Sequence, residues 1–216
     1  MDWLRTNGAD LLRATRDHML WAGFAFVIGV GAAVVLLALG HRWRAADQPL
    51  RMFALVASAV PPVAVVAALM PTVQSRPLIV CAIAVSVMAL VYRATMHGLD
   101  RVDSEIVAEA TLLGYGRWSR LTKVEVPLAA LAIRSGVRCA AVASVGLVAV
   151  AAQSLNGGLG FFVRNTWSTG PRMARLTGLV VLALLCILVD LGVRVLFRPL
   201  GPQARRHGHI AKSSGD

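Results

Sequence analysis

The chain has 216 residues, 57% of them hydrophobic with glycine left out of the count, and a formal net charge of +11. Charged residues make up only 15%, against roughly 25% in soluble globular chains, whose apolar share is about 45–50% even with glycine included. With a mean hydropathy of +0.67, this composition excludes an intrinsically disordered chain and a soluble nucleic-acid binder. It leaves an all-α, polytopic membrane protein. Of the 22 basic residues only Lys123 and Lys212 are lysines, and nearly all lie between apolar blocks. There they hold helix ends against anionic headgroups.

In chain order, residues 1–18 form a polar segment in which Arg5, Arg13 and Arg16 are matched by Asp2, Asp10 and Asp17. Five apolar stretches follow, each near the 20 or so residues that a span requires: Met19–Gly40, Met52–Met70, Leu78–Tyr92, Leu128 to about Ala152, and Leu176–Phe197. The first is too long for a cleaved signal, whose apolar region runs to about 7–15 residues. Pro61-Pro62 interrupts the second, which predicts either a packed kink or an unwound stretch lining a pathway. Cys81, Cys139 and Cys186 each lie in an apolar run and read as small buried hydrophobes without a disulfide framework. Residues 201–216 read as a basic, disordered tail.

Five spans place the termini on opposite sides. The loops after spans one and three, with the C-terminal tail, carry thirteen basic residues against seven in the alternate set. The positive-inside rule therefore predicts a cytoplasmic C-terminus and an N-terminus outside. It also puts the long polar stretch Arg93–Val126 in the cytoplasm. Within it Asp103 or Ser104 can cap a helix that carries Ile106, Val107, Ala110 and Leu113 at helical spacing. Gly114 and Gly116 break that helix. A basic connector, Arg117–Val126, then leads to Pro127, a favourable first residue for the next span.

Gly114, nine intervening residues, then Val124-Glu125-Val126-Pro127 resembles the cytoplasmic "EAA" loop of ABC-importer permeases, E-A-A-x-x-x-G-x9-I-x-L-P. Aligned from Gly114, the motif's Glu falls on Ala108, and a Glu stands one place later at Glu109, before Ala110. Further residues are similar to the osmoprotectant (quaternary-amine) branch. These are Val60-Pro61-Pro62-Val63-Ala64 with Pro71, Arg93, Thr95, Gly98, Val102-Asp103, Gly136, Arg138 and Gly157-Gly158-Leu159-Gly160. Leu155 and Asn156 stand where that branch has Gly-Ala.

The resemblance implies a type I importer permease: residues 19–200 as the transmembrane domain and a coupling loop at about 100–126. ATPase-coupling residues would be Glu105, Ala108, Glu109, Ala110, Gly114, Tyr115, Val124 and Pro127. Pro61, Pro62, Gly157, Gly158 and Gly160 would be pathway-lining candidates. It implies two copies of an ATP-binding subunit that hold ATP and Mg, a second permease subunit (identical or sister), and an extracytoplasmic substrate-binding protein. The setting is the cytoplasmic membrane with its lipids. Glycine betaine, choline, carnitine or proline would be the cargo, with methionine or another small solute as the alternative. A non-transporting scaffold is the reading from a different class.

The residues themselves suggest no catalysis or metal site. His18, His41, His97, His207 and His209 are scattered, and the glycine loop lacks the Lys-Ser/Thr of a phosphate loop. That loop reads as a tight external turn before a re-entrant segment, Phe161–Trp167. Arg134 and Arg138 read as snorkelling anchors. Asp190 and Arg194, one turn apart, read as a helical ion pair. Trp3, Trp21, Trp43, Trp118 and Trp167 fall near span ends, as an interfacial belt would place them.

Overall fold

The computed structural model describes residues 2–61, 64, 65, 68, 76–152, 158–160 and 172–197, and every regular element among them is helical. α1 spans Asp2–Arg42, α2 Arg44–Ala59, α3 Arg76–Leu99 and α4 Ser104–Leu112. A single turn, α5 (Arg117–Arg120), runs through a π-helical turn at Leu121–Glu125 into α6 (Val126–Ala151), and α7 covers Arg172–Leu196. Thr6–Arg42, Pro77–Leu99, Arg117–Ala151 and Arg175–Leu196 are each long and apolar enough to cross a bilayer. They correspond to the first, third, fourth and fifth expected spans.

The second expected span begins inside α2. Val60 is extended (φ −75°, ψ 120°) and ends that helix, as a residue before proline is biased to do. The Pro61 carbonyl then accepts from the Ala64 and Val65 N–H groups, so helical bonding restarts one residue after the break. Pro62 and most of residues 66–75 lie outside the described residues, as do Gly157, Phe161–Trp167, His207, His209 and the tail.

Two helices are longer than the apolar pattern suggests. α1 starts at Asp2 because its polar first turns carry no proline, and Arg13 sits 3.8 Å from Asp10 on an exposed face. α3 runs seven residues past Tyr92, where the Thr95 hydroxyl donates to the Val91 carbonyl and Arg93 reaches Ser58 of α2 at 2.6 Å. Polar residues continue a helix when local partners satisfy them.

α3 is the central element, packed on α1, α2 and α6. Its Ile83, Val87, Val91 and Tyr92 are buried in one cluster with Ala22, Ala25 and Ala33 of α1 and Ala140, Val145 and Val148 of α6. Lipid tails are as apolar as leucine, so close packing rather than escape from water joins spanning helices, and small residues permit it. A Cβ on Gly29 would lie 2.6 Å from the Ala84 carbonyl oxygen and from Val87 Cβ. Gly136 makes a comparably tight approach to Ala94. α7 lies at the edge on α6, with Leu179, Leu184, Ile187, Leu188 and Leu191 exposed.

The cysteines correct the sequence expectation. All three are free, but Cys81 and Cys139 are exposed, and Cys186 is half-buried against the core cluster. Membrane composition marks such residues as apolar without saying which way they face.

Gly29→Val should force α1 and α3 apart and cost about 1–3 kcal/mol, the usual range for overpacking. Gly31→Val makes the same change in helix propensity where nothing lies within 4 Å. Thermal unfolding in detergent should show a lowered midpoint for the first variant and a near-native midpoint for the second.

Candidate functional site

α4 is a short helix with well-formed ends. The Asp103 carboxylate accepts from the Glu105 N–H at 2.9 Å, satisfying one of the free donors of the first turn. At the other end Gly114 adopts φ +85°. Its N–H donates to the Thr111 carbonyl and the Tyr115 N–H to the Ala110 carbonyl, the paired bonds of a Schellman cap. A Cβ at that φ is strained, by roughly 1–2 kcal/mol.

Only Ala110 of this helix is buried. Glu105, Ala108, Glu109, Gly114 and Tyr115 are exposed together on one protrusion, while Val124 is half-buried and Pro127 exposed at the connector's end. The expected apolar stripe splits: Ala110 points inward and Val107 is half-buried, but Ile106 and Leu113 face out. Leu112 and Leu113 are 88% and 78% exposed, so the C-terminal tip of α4 presents two uncovered leucines. The sequence reading missed Leu112 because it fell off the helical stripe.

It also missed what holds α4. Arg120 donates from Nη1 to Thr111 Oγ1 at 2.8 Å and from Nε to Glu125 Oε1 at 2.7 Å. Among the described residues the Thr111 bond is the side-chain hydrogen bond that joins α4 to another element. Arg120 therefore ties α4 to the π turn, whose wide geometry has a local cause. Pro127 offers no N–H, and the Val126 N–H reaches back five residues to the Leu121 carbonyl. Trp118 packs edge-on against His41 of α1, with ring centroids 4.8 Å apart.

Beside this junction lies a cavity of about 520 Å³ lined by residues including His41, Asp47, Arg51, Tyr92, Asp100 and Glu125. Arg51 makes a two-pronged bond to Asp100, just past α3 (2.8 and 3.2 Å), and a third to Asp47 (3.0 Å). Hydrogen bonding to Asp100, joined by the charges of both carboxylates, holds the Arg51 guanidinium above its ordinary pKa. The planar fork thus fastens the middle of α2 to the turn that follows α3.

The remaining candidates lie elsewhere. Pro61 is exposed at the α2 break, near an apolar cavity of about 440 Å³ between α2 and α3. Gly158 and Gly160 are buried. Gly158, at φ +72°, approaches Ala152, His18 and Trp21 closely, and the buried His18 ring contacts the Val145 carbonyl through Nε2 at 3.0 Å. Asp190 does pair with Arg194, at 2.9 Å. It also accepts from Arg138, so Arg138 ties α6 to α7 and is not simply an anchor reaching for water. No group of three metal-ligating side chains occurs among the described residues.

These features define a multi-pass helical membrane protein with one short helix held outside its spans. Residues 25–202 match the family described as binding-protein-dependent transport system inner membrane component, and the chain belongs to that family. It is a permease subunit of an ABC transport system and not an enzyme. Systems of this family pair it with a separate ATP-binding subunit and a substrate-binding protein.

Among its relatives is the glycine betaine/carnitine/choline transport system permease protein OpuCB of Bacillus subtilis, 27% identical over 205 residues and 94% of each chain. The carnitine transport permease protein OpuCD of Listeria monocytogenes is 26% identical, over 94% of this chain and 92% of its own. The osmoprotectant import permease protein OsmW of Salmonella typhimurium is 27% identical, over 87% and 90%. The fold is shared with a chain of the inward-facing MetNI methionine ABC transporter, with TM-score 0.68 at 18% identity over 94% of this chain and 98% of that one.

Removing the tether by Arg120→Gln should loosen α4 without unfolding the bundle. A spin label on Glu109→Cys, with the three native cysteines replaced by serine, should gain mobility in the Arg120→Gln background. An unchanged spectrum would show that α4 is held by something other than Arg120.

Proposed function

We propose that this chain is the permease subunit of an importer for a small osmoprotectant of the betaine, choline, carnitine or proline type, and that α4 is its coupling helix. The observation that carries the coupling assignment is the α4 protrusion. A helix capped at both ends exposes Glu105, Ala108, Glu109 and two leucines, while one arginine fixes its base. Such a knob suits a groove on an ATP-binding subunit. The cargo assignment is supported by the names of the relatives over nearly the whole chain.

In this reading the chain crosses the membrane five times, the second crossing being α2 continued past Pro61. The α4 end faces the cytoplasm, where the basic residues concentrate, and the N-terminus lies outside. Residues 19–200 form the permease domain, with the coupling loop at about 100–126 and a basic tail at 201–216. Two permease subunits, identical or sister, enclose the pathway between two ATP-binding subunits that hold ATP and Mg. ATP-driven closure of those subunits moves α4. Arg120 passes the movement to the base of α6, Trp118 passes it to α1, and the spans rock between outward and inward openings. Val124 and Pro127 set the connector's junction with α6. The helix break before Pro61, with Pro62 and the glycines 157, 158 and 160, lines or gates the route.

Gly114→Leu should strain the cap and misplace Tyr115 and the leucine tip. Uptake of labelled betaine by cells or proteoliposomes should fall at least tenfold, the ratio that about 1.4 kcal/mol represents, while membrane insertion is retained. Competition by unlabelled choline, carnitine, proline and methionine then ranks the cargo. Full uptake by Gly114→Leu would contradict the coupling role of α4, and competition by methionine alone would contradict the osmoprotectant assignment.

A further inference from the structure

The α6–α7 seam opens into a groove of about 320 Å³ lined by residues that include Leu131, Arg134, Ser135, Arg138, Arg194 and Phe197. Its charges do not balance. Among the described residues Asp190 is the one carboxylate serving it, and both its oxygens are engaged, Oδ1 by Arg138 and Oδ2 by Arg194. Arg134 has no hydrogen bond or ion pair among the described residues. Three guanidiniums against one carboxylate leave the groove at +2.

The groove also lies on two helices that are long and apolar enough to cross a bilayer. Arg134 stands eight residues into α6, about 12 Å from its start at 1.5 Å per residue, and Arg194 lies two residues before the end of α7. Cations within spanning segments are paired or face water or a partner group. Here the chain supplies half of one counter-charge per arginine and none for Arg134. Among the described residues no further carboxylate pairs with these arginines.

We propose that this groove binds the phosphate of an anionic phospholipid from the leaflet on the α4 side. Arg134 is the principal contact. The accessible edge of Arg194 and the exposed Ser135 hydroxyl complete the cradle, and Arg138 is held back by Asp190. A guanidinium presents parallel donors that match phosphate oxygens. The lining is apolar at Leu131 and Phe197, where acyl chains would lie, and α7 beside it exposes a leucine-rich face. Basic pockets between spanning helices at this level take anionic headgroups. The inference stands on the charge imbalance and does not depend on the cargo or on the role of α4.

The test is native mass spectrometry of the purified permease complex in mild detergent, titrated with phosphatidylglycerol or phosphatidylcholine. The wild type should retain phosphatidylglycerol in preference. Arg134→Gln should lower that retention about fivefold, the ratio that one cation near an anionic surface contributes. Arg134→Lys should keep most of it, and the exposed Arg101→Gln should leave it unchanged. Millimolar inorganic phosphate should not displace the lipid. Equal retention of the two lipids, or equal retention by wild type and Arg134→Gln, would overturn the proposal. Arg134-dependent binding of inorganic phosphate that displaces the lipid would overturn it in favour of a soluble ligand. If Arg134→Gln is not monodisperse, Ser135→Ala provides the comparison, with a smaller loss expected and none contradicting the cradle.

Discussion

Backbone closeness at the α1–α3–α6 seam is the constraint on which the rest of the structure depends. Gly29 against Ala84 and Val87, and Gly136 against Ala94, leave no room for a side chain. Apolar side chains gain nothing by leaving lipid for protein except better packing. Glycine and alanine supply it by letting whole helices touch along their length. With α3 fixed between α1 and α6, the positions of the α1–α2 turn, the α3–α4 loop and the α6 base follow. The polar junction can then be built from residues distant in sequence.

On this frame, charges act as ties between helices. Arg51 joins α2 to Asp100 at the end of the α3 turn, Arg120 joins the π turn to α4, and Arg138 joins α6 to Asp190 of α7. Exposed ion pairs of this kind contribute little stability in water, typically below about 1 kcal/mol. Their value here is directional. A two-pronged guanidinium fixes an angle as well as a distance, which a loop that transmits movement requires. The tie at Arg120 has a further consequence, because it spans the π turn that Pro127 imposes. A locally irregular helix is thereby braced at the point where α4 would push on α6.

Much of this was legible in the sequence. Long apolar runs marked four of the described spans, and the Asp103 and Gly114 signals bracketed α4 to within a residue or two. The reason is physical: burial in lipid and helix capping are local demands that local residues must meet. The pairings were not legible. Arg51 and Asp100 are 49 residues apart, and Arg138 and Asp190 lie on different helices, so no spacing rule could join them. Helix extent was underestimated at α1 and α3 because polar residues satisfied by their own neighbours continue a helix that hydropathy alone would end. The outward-facing Cys81 and Cys139 were misjudged for a related reason. In a membrane protein, apolarity no longer distinguishes inside from outside.

The central claim is that α4 is where this permease meets its ATP-binding subunit, and site-specific photo-crosslinking tests it most directly. A benzophenone amino acid placed at Glu109, in native membranes containing the whole transport system, should yield a single adduct with the ATP-binding subunit whose yield changes when ATP is trapped. The same probe at Gly8, on the far end of α1, should yield none with that subunit. An adduct from Gly8 rather than Glu109, or none from Glu109 despite an intact complex, would contradict the account.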